Sequence, residues 1–279
     1  MSSGVEIRNS LVDCSSAQSK LKVARREPLT WYSCGPTVYD SSHLGHARTY
    51  VCTDVIRRVI TDYFNTPVSY AMGITDVDDK IINKAKQLGY TSWSEVQRMV
   101  RKLEDDFFRD MDRLNVQRPD SVLRVSEHIP DIQAYVGNLV SKDSAYAASD
   151  GVYFDYSSLK HEYDKFGCTN IPDFQEIEQG ASAEGAAYQN SAAVHQKRNP
   201  KDFALWKVSK TVSNDATGGD PFTWESPWGA GRPGWHIECS AMTHALFGTH
   251  LDIHSGGVDL KFPHHTNEIA QWYVTCCLL

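Results

Sequence analysis

A change of hydrophobic period within residues 29–72 constrains the fold more than any other feature of this sequence. Residues 29–33 are mostly apolar or aromatic and end at a Gly-Pro pair, which predicts a buried strand that stops at a turn. Residues 46–64 carry apolar side chains at helical spacing, and residues 67–72 predict a second strand. Strand, helix and strand in this order are typical of a parallel βαβ unit in an open α/β sheet. Ligands of such sheets bind at the carboxyl ends of the strands.

The predicted helix at 46–64 is amphipathic. Its apolar stripe contains Val51, Val55, Ile56, Val59, Ile60 and Tyr63. The other side carries Arg57, Arg58 and Asp62. The pattern therefore predicts a helix with one apolar and one charged side.

The rest of the chain predicts a nucleotide-binding domain that is interrupted by an insertion. A helix is expected from residue 78 onward, and helices at 91–114 and 126–142 and a strand at 151–156 follow. Residues 174–198 are polar and without period, which predicts a surface excursion. Strong α/β signals return only near Gly234. We therefore predict that the nucleotide-binding domain consists of residues 1–115 and 233–279, and that an α+β connective module occupies residues 116–232.

Composition limits the partners and the compartment. The net charge of −7 means that a nucleic acid must meet a local basic patch, and no apolar run is long enough to span a bilayer. Seven irregularly spaced cysteines predict thiols that are free or bound to a metal in a reducing compartment. We expect a monomer without membrane association, located in the cytoplasm or the mitochondrial matrix. Residues 1–26 fit either a transit peptide or an exposed lead-in to the first strand.

Four residues that are far apart in sequence form a candidate metal site. Cys34, Cys239 and Glu268 supply two sulfur atoms and one oxygen, and either His264 or His265 supplies a nitrogen. This mixture of donors suits Zn²⁺. His264 and Glu268 are four residues apart and would share one face of a helix. The spacing alone does not choose between the two histidines.

The sequence His43-Leu44-Gly45-His46 lies where the first strand leads into the first helix. Two imidazoles at this turn can donate hydrogen bonds to phosphate oxygens, and the helix N-terminus adds positive potential. Gly45 has no side chain, so a base can approach the backbone. The glycine-bearing turn at 254–259 offers a similar approach at Gly257 and an acceptor for ribose hydroxyls at Asp259.

Three further matches are weaker. The acidic residues Asp76, Asp78 and Asp79 precede a predicted helix, where a cap at Asp76 or Asp78 is the simpler interpretation. The glycine pattern at 229–234 follows no convincing strand and contains Pro233, which argues against a dinucleotide site. The segment Lys207-Val208-Ser209-Lys210 imitates a mobile phosphate-binding loop, but it lies inside the predicted insertion.

Together these motifs resemble cysteinyl-tRNA synthetase, a class I aminoacyl-tRNA synthetase of the compact bacterial or organellar type. The matching stretches follow the family's order and are residues 32–40, 43–46, 73–81, 202–207, 231–240 and 262–271. The resemblance implies a class I Rossmann-like domain with a parallel sheet. It also implies ATP-dependent activation of L-cysteine to cysteinyl-adenylate, with Mg²⁺, followed by transfer to tRNA(Cys).

The resemblance also implies roles for individual residues. The zinc ligands would be Cys34, Cys239, His264 and Glu268, which resolves the choice between the two histidines. Zinc would select the thiolate of cysteine over the hydroxyl of serine, so that no editing site is needed. The substrate site would include Cys34, Gly35, Thr37, Thr75 and Trp235. His43, Gly45, His46, Gly257 and Asp259 would bind ATP, with His43 and His46 as catalytic residues.

The match fades after Gln271, before the family's Lys-Met-Ser-Lys-Ser loop and its anticodon-reading region. We therefore expect a truncated synthetase that retains cysteine and zinc binding better than adenylate synthesis or tRNA charging. Two alternatives remain at this stage. One is a zinc-dependent ligase that passes cysteine to an amino sugar, and the other is a non-catalytic fragment that binds zinc or cysteine.

Overall fold

A parallel sheet forms the centre of the fold, as predicted. The computed structural model describes residues 6–8, 20–22, 28–159, 196–209 and 222–276. Within these ranges the strands of this sheet are β3 (Leu29–Thr37), β4 (Val68–Thr75), β5 (Ser121–Arg124) and β10 (Ile253–Ser255). Their order in the sheet is β10-β3-β4-β5, and every neighbouring pair is parallel. A separate antiparallel pair consists of β1 (Glu6–Arg8) and β2 (Lys20–Lys22).

Helices cover the sheet on both faces. They are α1 (Leu44–Arg58), α2 (Asp79–Gln87), α3 (Trp93–Arg113), α4 (Ile129–Ser141), α5 (Trp235–Phe247) and α6 (Thr266–Cys276). A π-helical turn, Val59–Tyr63, extends α1. Because side chains alternate along a strand, Trp31 packs in the cluster with α3, whereas Tyr32 and Cys34 pack in the cluster with α4, α5 and α6. None of the described helices is long and apolar enough to cross a bilayer.

A second, antiparallel sheet is formed by strands that lie between β5 and β10 in the sequence. Its order is β6-β7-β8-β9, with β6 (Ala145–Ala148), β7 (Gly151–Phe154), β8 (Phe203–Val208) and β9 (Gly231–Pro233). The division of the chain at residues 115 and 232 stays a prediction. Strand β5 nevertheless belongs to the parallel sheet, although it lies in the range that we had given to the insertion. Residues 174–195 of the predicted surface excursion lie outside the described part of the chain.

Strand β3 is longer than predicted. The Gly35-Pro36 pair was expected to end it, but the strand continues to Thr37 with a shift of register after Cys34. A Cβ atom on Gly35 would lie 2.1 Å from the backbone oxygen of Gly73 on β4. The strand continues because glycine permits this close contact, and the bulge accommodates the missing N–H of Pro36.

The polarity of α1 and of the π-helical turn is largely the reverse of what the pattern suggests, although Ile60 of the predicted apolar stripe is buried. Val55, Val59 and Tyr63 are exposed by 54%, 44% and 81%, whereas Asp54 and Arg57 are buried. The Arg57 guanidinium donates to both carboxylate oxygens of Asp120, at 3.1 Å each, and it also donates to the Arg118 carbonyl. Asp54 accepts from Arg58 and from the Gln117 backbone. The ion pairs of Arg57 and Asp54 thus determine which side of this helix faces the protein interior.

Candidate functional site

The four predicted metal ligands come together at the carboxyl edge of the parallel sheet. One ligand atom from each of Cys34, Cys239, His264 and Glu268 lies within 4.8 Å of the others. The two sulfur atoms are 3.6 Å apart, and His264 Nε2 is 3.5 Å from Glu268 Oε2. All four residues are buried. This cluster could hold a metal ion.

Four elements carry these side chains. Cys34 lies near the end of β3, on the face that packs against α5 and α6. Cys239 lies in the second turn of α5, and Glu268 lies in the first turn of α6. His264 precedes α6 in a helical turn, Lys261–His265, that is broken at Phe262. The residues therefore meet because helices α5 and α6 both pack on the face of the sheet that carries Cys34.

Two further histidines contact the same cluster. His265 Nε2 lies 3.7 Å from Cys34 Sγ, and His254 Nε2 lies 4.0 Å from it. One ligand atom from each of Cys34, His254, His265 and Glu268 also lies within 4.8 Å of the others. His254 Nε2 is 2.9 Å from Glu268 Oε2, which is a hydrogen-bond distance. Sequence reasoning placed His254 in a nucleotide-binding turn and missed this contact.

The spacing of the ligand atoms distinguishes the two sets. Atoms that bind one zinc ion tetrahedrally at about 2.0–2.3 Å lie about 3.3–3.8 Å from each other. The 3.6 Å between the cysteine sulfur atoms and the 3.5 Å between His264 and Glu268 fall within this range. The 2.9 Å between His254 and Glu268 is too short for two such ligands and fits a partner that orients the carboxylate.

The charges at the cluster favour a cation. The hydrogen bond from Cys34 lowers the pKa of the Cys239 thiol to about 6, and the same contact together with burial raises the pKa of Cys34. Burial raises the pKa of Glu268, but the charges of His254 and His264 outweigh it and hold the pKa at about 2. An anionic sulfur and an ionised carboxylate are the forms that bind a metal ion.

Aromatic side chains line the cluster on the side of α5. The ring of Trp235 stacks on His264 with 4.4 Å between ring centroids. His236 Nδ1 lies 3.2 Å from His264 Nδ1, and burial together with the charge of His264 lowers the pKa of His236 well below its usual value. His236 is therefore neutral at physiological pH. It was not among the predicted site residues.

The two histidines of the His43-Leu44-Gly45-His46 turn cap helix α1. The Gly45 backbone N–H donates to His43 Nδ1 at 3.0 Å, and the His43 N–H donates to His46 Nδ1 at 3.3 Å. Because each Nδ1 accepts, each neutral ring carries its hydrogen on Nε2. The rings stack with centroids 4.0 Å apart. Burial and the charge of His43 lower the pKa of His46, which favours this neutral donor form.

The histidine pair and the candidate metal site are neighbours. Tyr50 follows His46 by one helical turn, and its hydroxyl donates to the Cys34 carbonyl at 3.2 Å. The predicted ribose acceptor Asp259 also lies near His46. Its charge raises the pKa of His46, although burial and the charge of His43 lower that pKa by more. Asp259 is exposed, and a Cβ on Gly257 would lie 2.4 Å from its carboxylate. The predicted nucleotide residues therefore lie near the same edge of the sheet.

The remaining predicted substrate residues lie at the ends of β3 and β4. Thr37 and Thr75 are paired in the register of these strands and end them. Thr75 Oγ1 donates to Glu238 Oε2 at 3.3 Å, inside the protein. Burial and the charge of Asp78 raise the pKa of Glu238 well above its usual value. Glu238 contacts the predicted substrate site but was not predicted.

Gly35→Ala is expected to destabilise the protein by about 3 kcal/mol, because the added Cβ meets a backbone atom that cannot rotate away. The measurement is the free energy of unfolding in urea. Gly137→Ala in α4 is the matched control, since nothing lies within 4 Å of its Cβ position. There the change should be neutral or stabilising by about 0.5–1 kcal/mol. Equal stability of the two variants would contradict the expectation.

The weaker matches have structural explanations. Asp78 caps α2 by accepting from the Lys80 N–H at 2.7 Å, which confirms the predicted cap. Asp76 accepts from the Ser126 N–H and hydroxyl. Lys207 belongs to β8 and not to a loop. The glycine pattern at 229–234 includes β9 and the residue before α5, in agreement with its rejection as a dinucleotide site.

Comparisons with known proteins agree with this geometry. Residues 20–277 match the model of the class I (C) tRNA synthetase catalytic domain. The chain belongs to this family. The predicted resemblance and the Rossmann-like fold class are thereby confirmed. Methionyl-tRNA synthetase of Mycobacterium tuberculosis, solved with methionyl-adenylate, has a similar fold, with a TM-score of 0.61 at 14% identity over 90% of this chain and 55% of that one.

Several curated relatives carry the name cysteine–tRNA ligase. The cytoplasmic protein of Dictyostelium discoideum is 49% identical over 87% of this chain and 35% of its own length. The probable mitochondrial protein of the same organism is 42% identical over 96% of this chain and 44% of its own. The Pasteurella multocida protein is 47% identical over 88% of this chain and 48% of its own. The chain thus spans less than half the length of these relatives.

Proposed function

We propose that this chain activates L-cysteine with ATP as the catalytic domain of a cysteine–tRNA ligase, with tRNA(Cys) as the final acceptor. The observation that carries the proposal is the convergence of two buried cysteines, a histidine and a glutamate beside the His43-x-Gly45-His46 turn. A soft metal site next to a phosphate-binding helix terminus joins thiol recognition to nucleotide chemistry.

Zn²⁺ is the ion that suits Cys34, Cys239, His264 and Glu268 best, because of their mixed sulfur, nitrogen and oxygen donors and their spacing. Zinc with four ligands can take a fifth, and an ion held by these residues would favour the thiolate of substrate cysteine over the hydroxyl of serine, which would give selectivity without editing. His254 orients the Glu268 carboxylate through its 2.9 Å contact. Trp235 stacks on His264 and closes the cluster on the side of α5.

The ATP phosphates are proposed to bind at the N-terminus of α1. His43 and His46 donate from Nε2, and Gly45 and Gly257 permit the adenosine to approach the backbone. Asp259 accepts from the ribose hydroxyls, and Mg²⁺ accompanies the phosphates. The carboxylate oxygen of cysteine attacks the α-phosphorus, the bond to the β-phosphate oxygen breaks, and pyrophosphate leaves. The protein contributes position and charge stabilisation.

The substrate carboxylate would be held between this turn and the ends of β3 and β4. Gly35, Thr37 and Thr75 lie at those ends, and Glu238 fixes the Thr75 hydroxyl. The cytoplasm and the mitochondrial matrix are the proposed compartments, since both appear in the names of the relatives. A monomer is proposed on the basis of the sequence alone.

Cysteine-dependent ATP–pyrophosphate exchange by the zinc-loaded chain tests this function. Label should pass into ATP when cysteine is present, and serine should support a rate lower by at least about 10²-fold, because a site built for one polar group rejects analogues that lack it. Cysteine binding is measured separately by calorimetry. Exchange that is equally fast with serine, or cysteine binding that is unchanged after zinc removal, would refute the proposal.

A further inference from the structure

The three sequence matches without a role in activation meet at one carboxylate. Asp79 comes from the acidic cluster, Lys207 from the segment that imitates a phosphate loop, and Arg232 from the glycine pattern. Lys207 Nζ lies 2.7 Å from Asp79 Oδ2, and Arg232 Nη2 lies 2.6 Å from Asp79 Oδ1. Arg232 Nε donates to the same oxygen at 3.0 Å. Asp79 thus links the parallel-sheet unit to two strands of the antiparallel sheet.

The two cations need this carboxylate. Lys207 on β8 and Arg232 on β9 are directly opposite in the strand register. Like charges in that arrangement repel each other. Burial raises the pKa of Asp79, but Lys207 and Arg232 outweigh it and hold the pKa at about 2. Asp79 is therefore ionised at every physiological pH and neutralises part of the repulsion.

The cationic strands are firmly connected to helix α5. Arg232 precedes Gly234, the residue before α5, by two positions. The Gly234 N–H donates to the Leu205 carbonyl of β8 at 2.9 Å. A Cβ on Gly234 would lie 2.0 Å from the backbone oxygen of Ala204. A displacement of β8 and β9 would therefore carry the start of α5 with it.

On its other side, Asp79 is connected to the end of β4. It is the first residue of α2, four residues after Thr75 ends β4. Thr75 and Glu238 of α5 form a second contact across the same junction, at 3.3 Å. The contacts of Asp79 with Lys207 and Arg232 and of Thr75 with Glu238 thus form one junction. On one side of it are β3 and β4, which carry Cys34 and Thr75, and on the other side is α5, which carries Trp235 and Cys239.

We propose that Asp79 is a positioning residue that holds Lys207 and Arg232, and through them sets Trp235 and Cys239 opposite Cys34 and Thr75. The consequence for substrate rests on the proposed function, since these residues would line the cysteine site. The proposed ATP residues lie at the N-terminus of α1 and in the turn after β10, and none of them is on β8, β9 or α5. Loss of the Asp79 charge therefore weakens cysteine binding and leaves ATP binding unchanged.

Asp79→Asn is compared with Asp106→Asn. Asp106 pairs with Arg109 on the same helix at 2.7 Å, and its side chain is exposed by 38% against 42% for Asp79. Calorimetry on the zinc-loaded chain gives the Kd of cysteine and of ATP. We expect Asp79→Asn to raise the cysteine Kd about fivefold and to leave the ATP Kd within about twofold, the size of one local coupling. Asp106→Asn should change neither Kd.

A second variant separates positioning from general loss of structure. Lys207→Met combined with Asp79→Asn removes one of the two opposed cations, so cysteine affinity should recover by about twofold or more. If Asp79→Asn unfolds, Asp79→Glu, which keeps the charge, replaces it in the comparison. The expected increase in the cysteine Kd is then smaller than for Asp79→Asn. An unchanged cysteine Kd, a parallel loss of ATP affinity, or no recovery in the double variant would overturn the proposal.

A readout without substrate keeps this proposal separate from the proposed function. In the chain loaded with Co²⁺, the thiolate-to-metal absorption reports how Cys34 and Cys239 are placed around the ion. Asp79→Asn should change the intensity of this absorption, and Asp106→Asn should not. An unchanged spectrum overturns the positioning role even if cysteine binds. A changed spectrum in a chain that binds no cysteine supports the positioning role and rejects the proposed function.

Discussion

Cys239→Ser is expected to lower the zinc affinity of the chain by more than about 100-fold, because loss of a ligand exceeds the effect of losing an outer-shell partner. Cys239 is buried and lies 3.6 Å from Cys34, and its lowered pKa makes it the readier thiolate of the two. A serine hydroxyl is a harder ligand than a thiolate, so it binds zinc less well, and it is not ionised at neutral pH. Cysteine-dependent exchange should fall with the metal content.

Cys52→Ser is the matched control, because Cys52 is an exposed free cysteine on α1. Zinc affinity is measured by competition with a chelator, and exchange is measured at a zinc concentration that saturates the unaltered chain. The control should match the unaltered chain in both measurements. A Cys239→Ser variant that keeps both its zinc affinity and its exchange rate would show that the buried cluster is not the site of cysteine recognition.

His46→Asn is expected to lower kcat for ATP–pyrophosphate exchange by about 10²–10³-fold, the effect of removing one preorganised donor. This substitution distinguishes the role of Nδ1 in the helix cap from the role of Nε2 as a donor to phosphate. The Asn side chain can still accept from the His43 N–H where Nδ1 does so at 3.3 Å, so the helix cap remains. The shorter Asn side chain cannot place a hydrogen-bond donor where His46 Nε2 lies. The negative charge that develops on the phosphates then loses one hydrogen bond.

His46→Gln is the complementary variant, because its amide nitrogen can reach the position of Nε2. It should retain more activity than His46→Asn, while both variants unfold in urea close to the midpoint of the unaltered chain. Equal kcat for His46→Asn and the unaltered chain would contradict a phosphate-binding role. A large shift of the unfolding midpoint in His46→Asn would show that the histidine acts through the helix cap.

Local patterns were sufficient for most of the secondary structure. The strand that begins at Leu29, the long helix α3 and the Asp78 cap all follow from neighbours within a few residues. Cys34, Cys239 and Glu268 could be selected as candidate metal ligands because they lie in motif-like segments, whereas the choice of His264 over His265 came from the family resemblance. Their convergence still depended on the folding of α5 and α6 onto the same face of the sheet as Cys34.

Interactions between distant residues explain what the sequence did not predict. Helix α1 buries Arg57 because Asp120, 63 residues later, accepts from its guanidinium. His254 reaches the candidate metal site because β10 pairs with β3 in a register that sets it opposite Tyr32, more than 200 residues earlier. Neither partner is visible in the local pattern, so a hydrophobic stripe and a glycine-bearing turn suggested other roles.

The binding of the substrate thiol to the metal is the central claim, and a cobalt titration tests it most directly. The chain is loaded with Co²⁺, cysteine or serine is added, and thiolate-to-metal absorption in the near ultraviolet is recorded. We predict that cysteine adds a new thiolate band with saturable dependence on its concentration, and that serine adds none. A spectrum that does not change when cysteine binds, as followed by calorimetry, would contradict metal-based selection of the substrate.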